Sequence, residues 1–482
     1  MSNKEIITIA GGIGGMQLSS AMWESFCHEY GIDANGQQRV PQPDVSMRSF
    51  FEETEERIIP RNIMVYPHDD ISIMTGHDVT WQPTLYHPDS IIGLRNNFNE
   101  AFFPQGYFLD QEGLERTLNR IRIMCEQCSN LDGFIICRQY SEHINGFISR
   151  LLENFTEDYK KKTKIDYAKV PPPSSINCHT RTAVLNTFFT LSDCMKNIDC
   201  CIIADNSALR KIYTEKLHQN VGENYYYIYS VYNRVLAQAF STITSPLRFR
   251  STNNWSLDNY KVLVPHKQIP FVAMSYAPFV TIERLELHNQ LIADVTNECL
   301  DPANQTLSYN PRNGAYISSL LVYRGSEVIQ TDVTTMVANI NDQCKQGVDM
   351  RRANGIENPF QGTSVRTGTA AVESTYIACP IQSVASCSNN TDLYYYWKAL
   401  AVNAEDALYD KTRHSEEQLN TLDQIKSCYN YINSTMNRNY DYKVELKNVN
   451  ECLLNMLDLY ADYDCKIQHD RRFSGFVHHG FS

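Results

Sequence analysis

The residues of this chain that could do chemistry begin at Gly11-Gly12-Ile13-Gly14-Gly15-Met16-Gln17. An apolar run, Glu5-Ile6-Ile7-Thr8-Ile9-Ala10, leads into them, and a helical pattern carrying Met22, Trp23 and Phe26 leads out. Strand, glycine turn and helix start together make an anion cradle. Helix-start N–H groups point at the ligand, and glycines let the backbone approach it. The chemistry on offer is therefore phosphate binding. The spacing matches neither GxGxxG nor GxxxxGK[ST], and an ordinary strand-to-helix turn has the same composition. No carboxylate follows at the spacing a dinucleotide ribose needs, since Asp33 comes too early.

Other reactive side chains carry less. Cys125 and Cys128 form a lone C-x-x-C pair with no second pair at zinc spacing, inside a helical pattern of Leu114, Leu118, Ile121 and Met124. They read as packing cysteines. The chain has 15 cysteines, an odd number, and no signal-peptide layout, so free thiols in a reducing compartment are expected. Asn154, Asn304, Asn389 and Asn433 stand in Asn-X-Ser/Thr triplets that carry little weight in such a compartment. His478-His479 lies in a terminus expected to fray.

The elements that must position the glycine turn follow from the apolar pattern. Ile6–Ile9, Ile63–Val65, Phe134–Cys137 and Cys200–Ala204 are short continuous apolar runs, as strands buried on both faces are. Segments 112–128 and 179–196 read as helices between them. That alternation predicts an α/β fold with a doubly wound, mostly parallel sheet. Pro171-Pro172-Pro173 marks a loop after one strand. A long, tyrosine-rich helix covers 225–243, followed by strands at Ile269–Met274 and Tyr316–Tyr323 and a helix at 330–345. From 390 onward the pattern is helical: Leu393, Trp397, Leu400, Ala404 and Leu408 share a face, as do Val449, Leu453, Met456, Leu457 and Tyr460. Three parts result, 1–250, 251–388 and 389–482. A chain of 482 residues, 43% apolar and 20% charged, has the material for more than one core. Its net charge of -12 argues against nucleic acid as the main partner, and no apolar run reaches the roughly 18 residues that cross a bilayer.

The stretch EIITIAGGIGGMQLSSAMWESFCHEYGID resembles the opening strand, GQCGNQ loop and first helix of the tubulin family, with the gamma type the nearest likeness. The likeness continues in order. SMRSFFEETEERIIPRNIMV (46–65), NLDGFIIC (130–137), DCCIIADNSALRKIYTEKLH (199–218), STITSPLRF (241–249) and SNNTDLYYYWKAL (388–400) each resemble successive family segments, from about residue 5 to about 465. The resemblance implies a nucleotide-binding domain of GTPase type, an intermediate α/β domain and C-terminal helices.

It also implies a nucleotide site, carried over in part. Asn206, Tyr229 and Asn233 match the positions that clamp guanine. An Asn amide can both donate to and accept from a purine edge, and Tyr229 offers a flat face. Tyr229 also lies in a tyrosine cluster that would serve a core equally well. Gly12, Gly15 and Gln17 are kept in the first loop, while Ile13, Gly14 and Met16 replace the family's Gln, Cys and Asn. A further loop keeps Asn96 and Asn97 but has Leu94 and Arg95 for its glycines and Phe98 for its tryptophan. The family's GGGTGSG phosphate loop matches Arg138–Gly146, where only Gly146 remains and the Glu142 carboxylate opposes an anion. Tyr66-Pro67-His68 replaces the Asp-x-Glu near magnesium, with Asp69 and Asp70 just beyond. Trp255 stands where a neighbour-directed acid belongs, with Asp258 close by.

The expectation is a divergent gamma-tubulin-like subunit that helps nucleate and organise microtubules. GTP or GDP would be held weakly if at all, with no magnesium site, no catalytic residue and no useful GTPase activity. Its partners would be gamma-tubulin complex proteins and alpha/beta-tubulin or tubulin-like subunits, in the cytoplasm at a microtubule-organising centre. The final segment, 471–482, lacks an acidic block, which suits the gamma type. A nucleotide-free tubulin scaffold is the alternative, and a dinucleotide enzyme the outsider.

Overall fold

Alternation along β1 (Glu5–Gly11) shows how the layers arise: Ile7 and Ile9 enter one apolar cluster, Ile6 and Ala10 another on the opposite face. The computed structural model describes residues 4–39, 47–67, 83–95, 102–108, 110–173, 181–219, 225–249, 254–287, 291–347, 349–368, 377–409, 442–464 and 466–467. After β1 come α1 (Gly12–Tyr30), β2 (Phe51–Glu53), β3 (Ile58–Pro60), β4 (Asn62–Pro67) and β5 (Ile91–Leu94). Next are α2 (Phe103–Tyr107), α3 (Gln111–Gln127), β6 (Leu131–Gln139), α4 (Asn145–Asp158), β7 (Thr163–Lys169), α5 (Arg181–Asn197) and β8 (Cys200–Ala204). Then follow α6 (Asn206–Lys211), α7 (Tyr225–Arg248), β9 (Phe271–Ala277), α8 (Ile292–Cys299), β10 (Tyr316–Gly325), α9 (Gln330–Gln346), β11 (Phe360–Val365) and β12 (Gln382–Asn390). Two helices, α10 (Leu393–Tyr409) and α11 (Tyr442–Tyr463), close the described chain.

One sheet of ten strands, in the order β11-β10-β12-β9-β8-β7-β6-β1-β4-β5, forms the centre. From β9 to β5 every pairing is parallel, and β12 alone runs antiparallel to its two neighbours. The sheet is continuous across residue 250, because Cys201 of β8 registers with Phe271 of β9. One face is covered by α3, α4, α5, α10 and α11, through side chains such as Leu114, Leu151, Phe188, Trp397 and Met456. The other is covered by α1 and α7, through Trp23, Phe26, Leu236 and Phe240.

α1 and α7 are joined by buried charge as well as by packing. Arg234 donates two hydrogen bonds to Glu24, at 2.8 and 2.7 Å. Glu29, near the end of α1, takes Arg248 of α7, Arg324 of β10 and the Ser241 hydroxyl, all of them buried. Gly31 ends α1 in a left-handed conformation with φ of 66°, and its amide bonds back to the last turn. No described helix is long and apolar enough to cross a membrane.

Candidate functional site

The C-terminal ends of β1, β6, β7 and β8 lie side by side, and the turns that follow them share one edge of the sheet. Ligands in open α/β sheets bind at this edge. Gly12 opens α1 there with φ of 73°, and a Cβ on Gly15 would lie 2.3 Å from the Cys137 carbonyl oxygen. The glycines thus bring the start of α1 hard against the end of β6. Gln17 lies one turn on and is half-buried.

The space over that helix start is filled. The Gly14 amide donates to Glu142 Oε1 at 2.8 Å, and a Cβ on Gly12 would fall 1.8 Å from Glu142 Oε2. The carboxylate therefore sits where a phosphate oxygen would be cradled, and it satisfies a helix-start donor as an anion would. Its own turn is clamped. Asn145 Nδ2 donates to the carbonyls of Gln139 at 2.7 Å and Glu142 at 2.8 Å, and Asn186 Nδ2 donates to that of Ser141 at 3.0 Å. Gln139 and Ile144 crowd the same turn, since a Cβ on Gly14 would lie 2.5 Å from Gln139 Oε1 and one on Gly12 would lie 2.6 Å from Ile144. Arg138 binds both Asp166 oxygens, at 3.1 and 2.9 Å, and reaches Asp193 at 3.2 Å. Tyr140 donates to Asp166 at 2.7 Å, and Gln139 donates to Ser141 at 2.8 Å. His143 is half-buried, and desolvation pulls its imidazole below the usual pKa, while Ile144 is buried in the core. Gly146 faces α2, not the crevice: a Cβ there would strike the Phe103 carbonyl oxygen at 2.0 Å. Helix packing explains this glycine, not the phosphate cradle expected of it.

The ends of β7 and β8, where the resemblance places the base, are different in kind. Asp205 caps α6 by accepting from the Ala208 amide at 2.8 Å and also holds Ser308. Burial pushes its carboxyl above the usual range against these hydrogen bonds. That cap fixes Asn206 as the first helical residue, and its Oδ1 is buried without a hydrogen-bond partner. Asn233 on α7 is fully buried, and both its Oδ1 and its Nδ2 lack a partner. An unpaired buried polar atom costs about 1–3 kcal/mol, and both ends of the Asn233 amide stand open to a partner. Tyr229 lies one helical turn before Asn233, half-buried, with the Lys169 ammonium 5.7 Å from its ring centroid. Asn206 and Asn233 are the two amides the resemblance points to; Lys169 at the end of β7 was not singled out. Asn97, Asp69 and Asp70 lie outside the described residues.

Two other places could suggest chemistry. Asp166, Cys194 and Cys201 cluster closely enough to hold a metal, but the Arg138 guanidinium already neutralises Asp166. A cleft of about 820 Å³ lies among Lys211, Pro302, Asn310, Asp392 and Tyr395, and none of the predicted site residues lines it. Cys125 and Cys128 pack against the core as expected, while Asn304 and Asn389 are fully buried and so closed to glycosylation.

At the opposite edge of the sheet, Trp255 packs edge-on to Tyr260 at 5.9 Å, and its carbonyl accepts from Lys4 at 3.2 Å. Asp258 pairs with Lys261 at 2.9 Å and accepts from the Thr163 hydroxyl, and these two contacts hold its carboxyl below the usual range. Asp258, the one carboxylate among residues 254–263, is thus engaged by Lys261 and Thr163.

Residues 5–214 match the Tubulin/FtsZ family GTPase domain and residues 268–401 match the tubulin C-terminal domain. The chain is 31% identical over 348 residues to the tubulin alpha-2 chain of Homarus americanus, covering 70% of this chain and 74% of that one. It is 31% identical over 347 residues to the tubulin alpha-2 chain of Caenorhabditis elegans, again covering 70% and 74%. With its parallel sheet, its long α7 between the sheet's two halves and its C-terminal helices, the chain belongs to the tubulin family.

Proposed function

We propose that this protein is a cytoskeletal tubulin-family subunit that serves as a fixed assembly surface and does not turn over nucleotide. One observation carries the reading: the Glu142 carboxylate seated on the start of α1. Phosphate and magnesium contacts supply most of the charge stabilisation in phosphoryl transfer. A resident anion at the cradle works against both. The engagement of Asp258 with Lys261 and Thr163 supports the same reading at the far edge of the sheet.

Within the family, the reading is a gamma-type template that helps nucleate microtubules, working with gamma-tubulin complex proteins at an organising centre in the cytoplasm. The order of gamma-like segments supports it. Both relatives named above are alpha chains, so the likeness of those segments carries this finer assignment alone. The test is depletion in the native cell, with microtubules counted as they regrow after cold disassembly. Slower regrowth from organising centres, and co-purification with gamma-tubulin complex proteins, are expected. Unchanged regrowth without co-purification leaves a scaffold outside nucleation. Steady phosphate release by the purified protein would remove the reading altogether.

A further inference from the structure

The two halves of the crevice disagree about the ligand. Asn206 and Asn233 present buried, unpartnered amide atoms, which suit a purine edge. The helix start that should hold the phosphates is already held by Glu142. A nucleotide therefore does not fit this site as the family would have it. Asn145 and Asn186 tie the backbone carbonyls of the turn on either side, and the Gly14 N–H holds the carboxylate.

We propose that Glu142 is a built-in stand-in for a nucleotide phosphate, so that the crevice takes a purine nucleoside in preference to any nucleotide. The proposal deepens the static-subunit reading and rests on it. The chemistry is that of one anion site and two claimants. Glu142 already accepts the Gly14 N–H and lies over the positive end of α1. An incoming phosphate would lose that donor and meet a fixed negative charge at contact distance, where like charges are costly. A nucleoside makes no such demand. It needs only the amides of 206 and 233 and the face of Tyr229, beside which Lys169 lies. The segment preceding α4 then acts as a selectivity device built from one side chain.

The test uses the full chain in calorimetric titrations with guanosine, GMP and GDP, each with and without magnesium. The wild-type protein is expected to bind guanosine, with affinity falling by at least about tenfold on adding phosphate. Glu142→Gly should leave guanosine binding unchanged and improve GDP binding by at least about tenfold. Glu142→Gln, which keeps the shape and removes the charge, should recover part of that gain and decides the matter if the glycine variant does not fold. Asn233→Ala should abolish guanosine binding. The proposal is overturned if the wild-type protein binds GDP as tightly as guanosine. It is equally overturned if guanosine shows no binding, or if removing the charge at 142 leaves the ratio of the two affinities unchanged. Phosphate release is a separate measurement, so failure here and failure of the static-subunit reading are told apart.

Discussion

Gly12 and Gly15 are glycines for want of space, but different neighbours impose it. A Cβ on Gly15 would meet the backbone carbonyl of Cys137 at 2.3 Å, which cannot move without bending β6. A Cβ on Gly12 would meet Glu142 Oε2 at 1.8 Å, the end of a side chain, in a backbone with φ of 73°. A double-mutant cycle separates them. Gly12→Ala should cost about 1–2 kcal/mol for its backbone alone, and more while Glu142 is present. Pairing it with Glu142→Gly should reveal a coupling of about 1 kcal/mol or more, whereas Gly15→Ala should show none. Urea unfolding of the single and double variants measures both, and equal costs for Gly12→Ala in both backgrounds would remove Glu142 from the turn. At this scale the sequence shows a carboxylate, Glu142, in the loop where the resemblance expects phosphate contacts. It could not tell where the carboxylate goes, because Asn186, on another helix, helps set its turn. Gly146 misled for the same reason: its neighbour is the backbone of α2, distant in sequence.

Among the elements, α1, α7 and β10 meet at Glu29. Burial raises its carboxyl pKa, but Arg248 and Arg324 outweigh this and hold it below the usual range. A lowered folded pKa means stabilisation that is full above the unfolded carboxylate pKa and is lost as pH falls through the folded one. Glu29→Gln leaves two buried guanidiniums without their shared counter-charge and should cost about 3–5 kcal/mol at neutral pH. The gap between wild type and variant should then close on the acid side of the ordinary carboxylate range. Urea midpoints across that range give the answer; a gap that widens on acidification would mean Glu29 is neutral in the fold. Elements were legible where burial is two-sided and apolar, as in β1, β6 and β8. The strand β12 was not foreseen, since its Ser-Cys-Asn composition has poor strand propensity. It is central nonetheless, because hydroxyls pair across it: Ser386 with Ser275 at 2.8 Å and Ser388 with Ser319 at 2.7 Å.

For the whole molecule, the order of resembling segments made the architecture readable, since strand order and helix placement follow from topology rules once the alternation is known. The two edges of the sheet had to be seen to be compared. One holds the crevice at the ends of β1, β6, β7 and β8; the other holds Lys4, Asp132, Thr163 and Asp258 around residues 254–263. The family resemblance implies that turnover in an assembly would need the second edge of one copy to act on the first edge of its neighbour. Asp258 is the nearest carboxylate to the displaced position in the chain, and it is already paired with Lys261. As an exposed pair it should contribute about 1 kcal/mol or less to stability. Asp258→Asn is therefore expected to fold normally, to unfold at nearly the wild-type urea concentration, and to leave phosphate release at the wild-type level both alone and mixed with polymerising tubulin. A drop in phosphate release in the mixture would show Asp258 working across an interface, and the subunit would then be an active partner in hydrolysis instead of a fixed surface.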